Sequence, residues 1–263
     1  MTRARIVAAP ARKGARRAAD IPADILAELE QGGAPSVTLV EILAVNQARL
    51  LRSVFPALPA QVHAEALAAC ELGVLKRMAA IAALLREHGG EHALAVCATH
   101  VSDTVRGWAC FMLGSQPGQD IPARLAAMLP FADDPHFGVR EWAWMALRPH
   151  LAADLDEGVA RLVPWTASPS ERVRRYASEV LRPRGVWCAH IPALKALPSR
   201  ALPLLAPLRA DASAYVQDSV GNWLNDAAKD QPDWVRSLCA IWEKESPGPE
   251  TARICRLARR SLA

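Results

Sequence analysis

The sequence predicts an all-α solenoid of stacked helical hairpins, on three observations: its choice of apolar residues, the placement of its prolines, and a pattern that returns every 34 residues. Of 263 residues 51% are hydrophobic but only 5% aromatic. Ala, Leu and Val dominate, and period-two runs of β-branched and aromatic residues are missing, which favours helix nearly throughout. Most of the 20 prolines stand at segment boundaries, as at Pro122, Pro135, Pro169, Pro203 and Pro232, where they start helices rather than break them. A chain of this size and apolar content buries a large core, which excludes disorder throughout.

Taken in order, Thr38 to Val54 gives a first helical pair, and Leu75 to Leu85 resembles an inner helix. The repeat then becomes explicit. VRGWACFML from Val105, VREWAWMAL from Val139 and VRRYASEVL from Val173 follow one another at 34 residues, and a divergent VQDSVGNWL begins at Val216. Self-similarity at a fixed period of this length marks a solenoid. In each copy the first, fourth, fifth, eighth and ninth residues form one apolar stripe. Polar segments before each copy (Ser102-Asp103, Asp133-Asp134-Pro135, Ser168 to Glu171, Asp211 to Ser213) supply helix caps and favour the dipole. Ile121 to Phe131 and Glu157 to Trp165 are the second helices of their hairpins. The spacing from Val173 to Val216 is 43 residues, and Arg182 to Leu208, with five prolines, is expected to be an inserted loop with a short helix. Asp233 to Lys244 and Thr251 to Leu262 close the stack, so 20–263 is expected to be a single domain.

Residues 1–19 hold six basic and no acidic residues, so the net charge of +4 belongs to this segment and the rest of the chain is at −2. The segment is expected to be a disordered basic tail, with an electrostatic arm for phosphate or a transit peptide as alternatives. The body is not basic overall, and a nucleic-acid partner has to be argued from where individual arginines lie. Six scattered cysteines without a CxxC pair read as reduced thiols, and dispersed histidines offer no metal site. No secretory signal, membrane span or cofactor is expected, and the sequence shows no nucleophile elbow or phosphate loop.

Outside the apolar stripe, the second column reads Arg106, Arg140, Arg174 and Gln217, and the tenth Gly114, Arg148, Arg182 and Asn225. Stacked helices would merge these arginines into a ladder suited to phosphate, because guanidinium forks bind its oxygens bidentately. The alternative is that each bridges neighbouring repeats to acids such as Asp133 or Glu171. Glu179 stands where earlier copies have Phe111 and Met145, one turn before the loop that brings in Trp187. A carboxylate beside an indole suits a flat cation; a surface pair with Arg175 or Arg182 is the alternative.

Two segments carry a family resemblance: Val173 through Ser178-Glu179 and Arg182-Pro183-Arg184 to Trp187, and Tyr215 through Ser219-Val220 and Leu224-Asn225-Asp226 to Lys229 and Pro232. From Ser102 to about Leu257 the chain resembles the HEAT-like-repeat alkylpurine DNA glycosylases, the AlkC-like branch more than the AlkD-like one. The resemblance implies a concave surface holding duplex DNA and excision of cationic N3- or N7-alkylated purines without flipping the base. It casts Glu179 as the electrostatic and water-positioning group and Trp187 as the lesion contact, assisted by Trp144 or His136. Arg106, Arg140, Trp144, Arg148, Arg174, Arg182, Arg184 and Lys229 would bind DNA. His136 precedes Phe137-Gly138-Val139-Arg140 where the AlkC-like branch is expected to carry a second carboxylate, and the Trp-Asp-x-x-Asp arrangement of the AlkD-like branch is absent. His136 or Glu141 is the next carrier should Glu179 fail. A cytoplasmic monomer is expected, with non-catalytic DNA binding or protein scaffolding as the other functions. Glu179→Gln is expected to spare stability, and Arg148→Ala to remove a phosphate contact.

Overall fold

A computed structural model describes residues 12–262. Its helices are α1 (Ala23–Gln31), α2 (Leu39–Ala44), α3 (Gln47–Val54), α4 (Ala60–Ala69), α5 (Val74–Thr99), α6 (Asp103–Gly114), α7 (Ile121–Ala132) and α8 (Phe137–Ala153). There follow α9 (Leu155–Leu162), α10 (Glu171–Glu179), α11 (Pro192–Ala196), α12 (Leu202–Leu205), α13 (Ala214–Ala228), α14 (Pro232–Glu245) and α15 (Pro249–Arg259). Among the described residues there is no strand. The fold class is the one predicted.

The inner layer runs α5, α6, α8, α10, α13, α15, each packed on the next, and α7, α9, the α11–α12 segment and α14 back it. Every stripe position is buried or nearly so: Val105, Trp108 and Ala109, Val139, Trp142 and Ala143, Tyr176 and Ala177, and Val216, Val220 and Trp223 belong to one core that runs from Leu29 to Ala258. Large aromatics need small neighbours. A Cβ on Gly107 would stand 2.5 Å from Trp142, and one on Gly221 2.6 Å from Leu257, so glycine at these sites sets how closely inner helices approach.

Two expectations are revised. The segment from Arg182 to Leu208 is not an open insert: only 183–191 is loop, and α11, α12 and two 3-10 turns (Pro198–Ala201, Ala206–Leu208) bury Leu194, Leu204, Leu205 and Leu208 as a broken outer helix. Prolines at Pro192, Pro198, Pro203 and Pro207 restart it each time. Residues 1–11 of the expected tail lie outside the described residues, but Arg12 to Ala19 are held in place. Arg12 makes a bidentate pair with the buried Glu41 of α2 (2.6 and 2.8 Å), and Thr38 donates to the Ala15 carbonyl. Helix α5 is two helices joined at Gly90 (φ 53°, ψ −141°), a conformation that glycine supplies without strain.

Among the described residues all six cysteines are free, Cys97, Cys110, Cys239 and Cys255 being buried. Among the described residues no helix is long and apolar enough to cross a membrane.

Candidate active site

A cleft of about 470 Å³ opens where α2, α8, α10, α13 and the 183–191 loop converge. Its floor comes from the third and seventh columns of the repeat: Glu141 and Met145 on α8, Arg175 and Glu179 on α10, Asp218 and Asn222 on α13. These positions lie on the helix face opposite the stripe, so the same periodicity that builds the core aims them into the concavity. Leu39 of α2 and Val186 and Trp187 of the loop line the cleft too, and all three are exposed.

Within the cleft an alternating chain of charge crosses three helices. Glu141 pairs with Arg175 (2.6 Å), Arg175 approaches Glu179 (3.5 Å), Glu179 accepts from Arg182 (2.8 Å), and Arg182 grips Asp226 (2.8 Å). Glu179 is 4% exposed and its second oxygen accepts from the Ser219 hydroxyl at 2.7 Å. Burial pulls its pKa upward, but Arg175, Arg182 and the Ser219 hydrogen bond together outweigh burial and hold it below the usual carboxylate range. The carboxylate is therefore a fixed negative charge in a poorly hydrated place. Glu141 is more open, with 31% of its side chain exposed, and accepts from Trp144 Nε1 at 2.8 Å. The Tyr215 ring lies beneath both Arg140 and Arg175, about 5 Å from each guanidinium.

Trp187 is the one non-glycine residue with positive φ among the described residues (61°), and its indole is 45% exposed at the cleft mouth. That strained conformation is imposed by its loop. Ile191 donates to the Pro183 carbonyl to close the loop, and the buried Arg148 guanidinium inside it donates to the carbonyls of Val180, Arg182 and Ala189. A Cβ on Gly185 would stand 3.1 Å from that guanidinium, so the chain wraps tightly around it.

No family model matches the chain. The uncharacterized protein YhaZ of Bacillus subtilis is 43% identical over 76 residues, 29% of this chain and 21% of that protein. Among solved structures, Pseudomonas fluorescens alkylpurine DNA glycosylase AlkC, bound to DNA containing an abasic-site analogue, superposes with a TM-score of 0.66 at 29% identity, over 90% of this chain and 64% of AlkC. The fold is AlkC-like. AlkD2 of Streptococcus mutans aligns over 81% of this chain and 96% of its own with a TM-score of 0.53, and at 23% identity it shares the fold alone. The chain thus spans somewhat under two thirds of AlkC and about a fifth of YhaZ.

On this AlkC-like scaffold the structure unites Glu179, Trp187, Arg140, Trp144 and Arg182 in one cleft. It separates others. His136 is the N-cap of α8: its Nδ1 accepts from Gly138 N–H, which leaves Nε2 to donate to the Ser36 carbonyl at 2.6 Å, so it ties the segment ahead of α2 to the start of α8. Trp144 is 2% exposed, and only its edge reaches the cleft. Arg148 is equally buried, and burial lowers its pKa; its donors are spent on the loop carbonyls, so it faces no phosphate. Arg184 pairs with Asp230 and Lys229 with Asp226.

The arginine ladder is likewise a set of clasps. Arg106 binds Asp134 ahead of α8 and the His100 and Val101 carbonyls ahead of its own helix. Arg174 does the same with Asp211, Ser168 and Pro169. Arg140 holds the Asp134 and Pro135 carbonyls but meets Tyr215 Oη where its neighbours meet an acid. Of the two readings open for this column, bridging between repeats is the one observed. Arg174→Ala should therefore cost about 2 kcal/mol, read as a drop of roughly 4–8 °C in melting temperature, with no change in the salt dependence of DNA binding; a shallower salt slope would restore the phosphate role.

Sequence reasoning passed over the third column as a unit. Gly107, Glu141, Arg175 and Asp218 run from neutral through alternating charge, and that alternation was the available signal for a concave ion chain. Asp226 and Ser219 carried no such signal, since their roles depend on how α13 docks against α10.

Proposed function

We propose that this protein is an alkylpurine DNA glycosylase that acts on duplex DNA and releases cationic N3- or N7-alkylated purines, as a cytoplasmic monomer. The observation that carries the reading is the shared opening of the Trp187 indole and of Glu179, held ionised by its arginines, and Glu141 onto one cleft of an AlkC-like fold. A positively charged alkylated base is held by the face of the indole through cation–π attraction. It is also a good leaving group. The C1′–N bond breaks with its electron pair going to the base nitrogen, which neutralises the base and leaves positive charge on the sugar. Fixed carboxylates in a poorly hydrated cleft stabilise that charge without reorganising. Water then adds to C1′ and gives up its proton to the more open Glu141 or to solvent. Glu179, with both oxygens engaged, acts through its field.

The direct test is release of 3-methyladenine and 7-methylguanine from methylated duplex DNA; release no faster than spontaneous depurination rejects the proposal. Trp187→Ala should slow release about tenfold, the scale of one partly desolvated cation–π contact. Its melting temperature should stay within about 2 °C of wild type, as is usual for an exposed side chain. Equal loss of undamaged-DNA binding would show that the indole does not discriminate lesions.

A further inference from the structure

Because the laddered arginines are clasps, a duplex backbone would need other cations, and α15 carries three on one side. Arg253, Arg256 and Arg260 stand at i, i+3 and i+7 on one side of this helix, opposite the buried Thr251, Ile254, Cys255 and Ala258. They extend over about 10 Å of axis at 1.5 Å per residue. Arg253 reaches across to Asp218, a cleft-lining residue of α13, at 2.7 Å, so the stripe begins at the cleft rim. Arg256 and Arg260 are exposed and form no ion pair among the described residues. Arg182, Arg184 and Lys229 are by contrast paired with Asp226 and Asp230. The remaining arginine of the helix, Arg259, turns outward to Glu243 of α14.

We infer that Arg256 and Arg260 on α15 bind the phosphate backbone of duplex DNA beside the cleft, with Arg253 fixed as the hinge between stripe and cleft. The inference rests on the proposal that DNA is the substrate but not on catalysis. Charge complementarity favours this occupant: a duplex strand presents a row of evenly spaced anions, and solvent-facing guanidiniums on consecutive turns match such a row while carrying no base specificity. The unengaged donors stay hydrated until the strand arrives, and their binding releases counterions.

The test measures equilibrium binding of undamaged duplex DNA from about 50 to 300 mM salt, a range over which counterion release is readable, for wild type, Arg256→Gln/Arg260→Gln and a control pair, Arg236→Gln/Lys244→Gln, on the outer helix α14. The stripe variant should bind roughly ten- to a hundredfold more weakly at the low end, and its log–log salt slope should shrink by about two, one per lost phosphate contact. The control pair should keep the wild-type slope. An unchanged slope in the stripe variant, an equal loss in the control pair, or no duplex binding by wild type would each overturn the inference. Base release measured alongside separates the two proposals. Wild type that binds with the expected slope yet releases no base leaves the stripe standing and removes the glycosylase. A wild type that releases base while the stripe variant keeps its slope does the reverse.

Discussion

Glu179→Gln is expected to abolish base release and also to lower the melting temperature on the order of 10 °C, from a loss of about 3 kcal/mol. The activity loss follows from removing the fixed charge that opposes the developing sugar cation, while the amide keeps the carboxylate's size. The stability loss follows from burial: the carboxylate sits between Arg175 and Arg182, and without it two guanidiniums lose their shared counter-ion. The cost stays near the low end for a broken buried pair because Arg175 keeps Glu141 and Arg182 keeps Asp226. This replaces the expectation from sequence that stability would be spared, because Glu179 is buried between two arginines instead of lying on the surface. A pH series adds a check. Since Glu179 in the folded protein titrates below its unfolded value, its contribution is complete above the ordinary glutamate range and is lost as pH falls toward the depressed folded value. The gap between wild-type and Gln melting temperatures should accordingly narrow in acid. A variant that still releases base would move the catalytic assignment to Glu141.

Arg148→Ala should cost about 3–4 kcal/mol, because three buried or half-buried carbonyls lose their donors at once and a void opens under Gly185. Its functional effect should be indirect: the 183–191 loop loosens, Trp187 leaves its position, and base release falls while the salt slope for undamaged DNA stays as in wild type. Proteolytic cleavage within 183–191 should accelerate in the variant. A shallower salt slope with an intact loop would show that Arg148 does meet phosphate after all.

The fold was legible because the apolar stripe repeats. Val105, Val139 and Val173 announce their helices by period, Val216 by its pattern, and the prolines mark where the outer helices begin. The broken helix of 192–208 was not, since its prolines read as loop while its leucines, spaced irregularly, complete the core through contacts with α9, α10 and α13. In the site, Glu179 and Trp187 were visible as departures from their columns. His136 and Arg148 misled because sequence position gives a helix face but not what the neighbouring segment places against it: Ser36, a hundred residues upstream, takes the histidine, and Ala189 takes the arginine.

The arginine clasps bear on how the molecule comes apart. In a stack where each hairpin touches chiefly its neighbours, cooperativity is set by the strength of successive interfaces, as in a one-dimensional chain of coupled units. Arg106 with Asp134 and Arg174 with Asp211 reinforce two of those couplings with paired, largely buried charges. The hairpin around α5, interrupted at Gly90, precedes the first clasp. Amide exchange should thus be fastest in 74–99 under native conditions and slowest in α8 to α13, where the ion chain is added to the clasps. The cleft lies within the unit that opens last, so its charges keep their positions even while the far end of the stack frays.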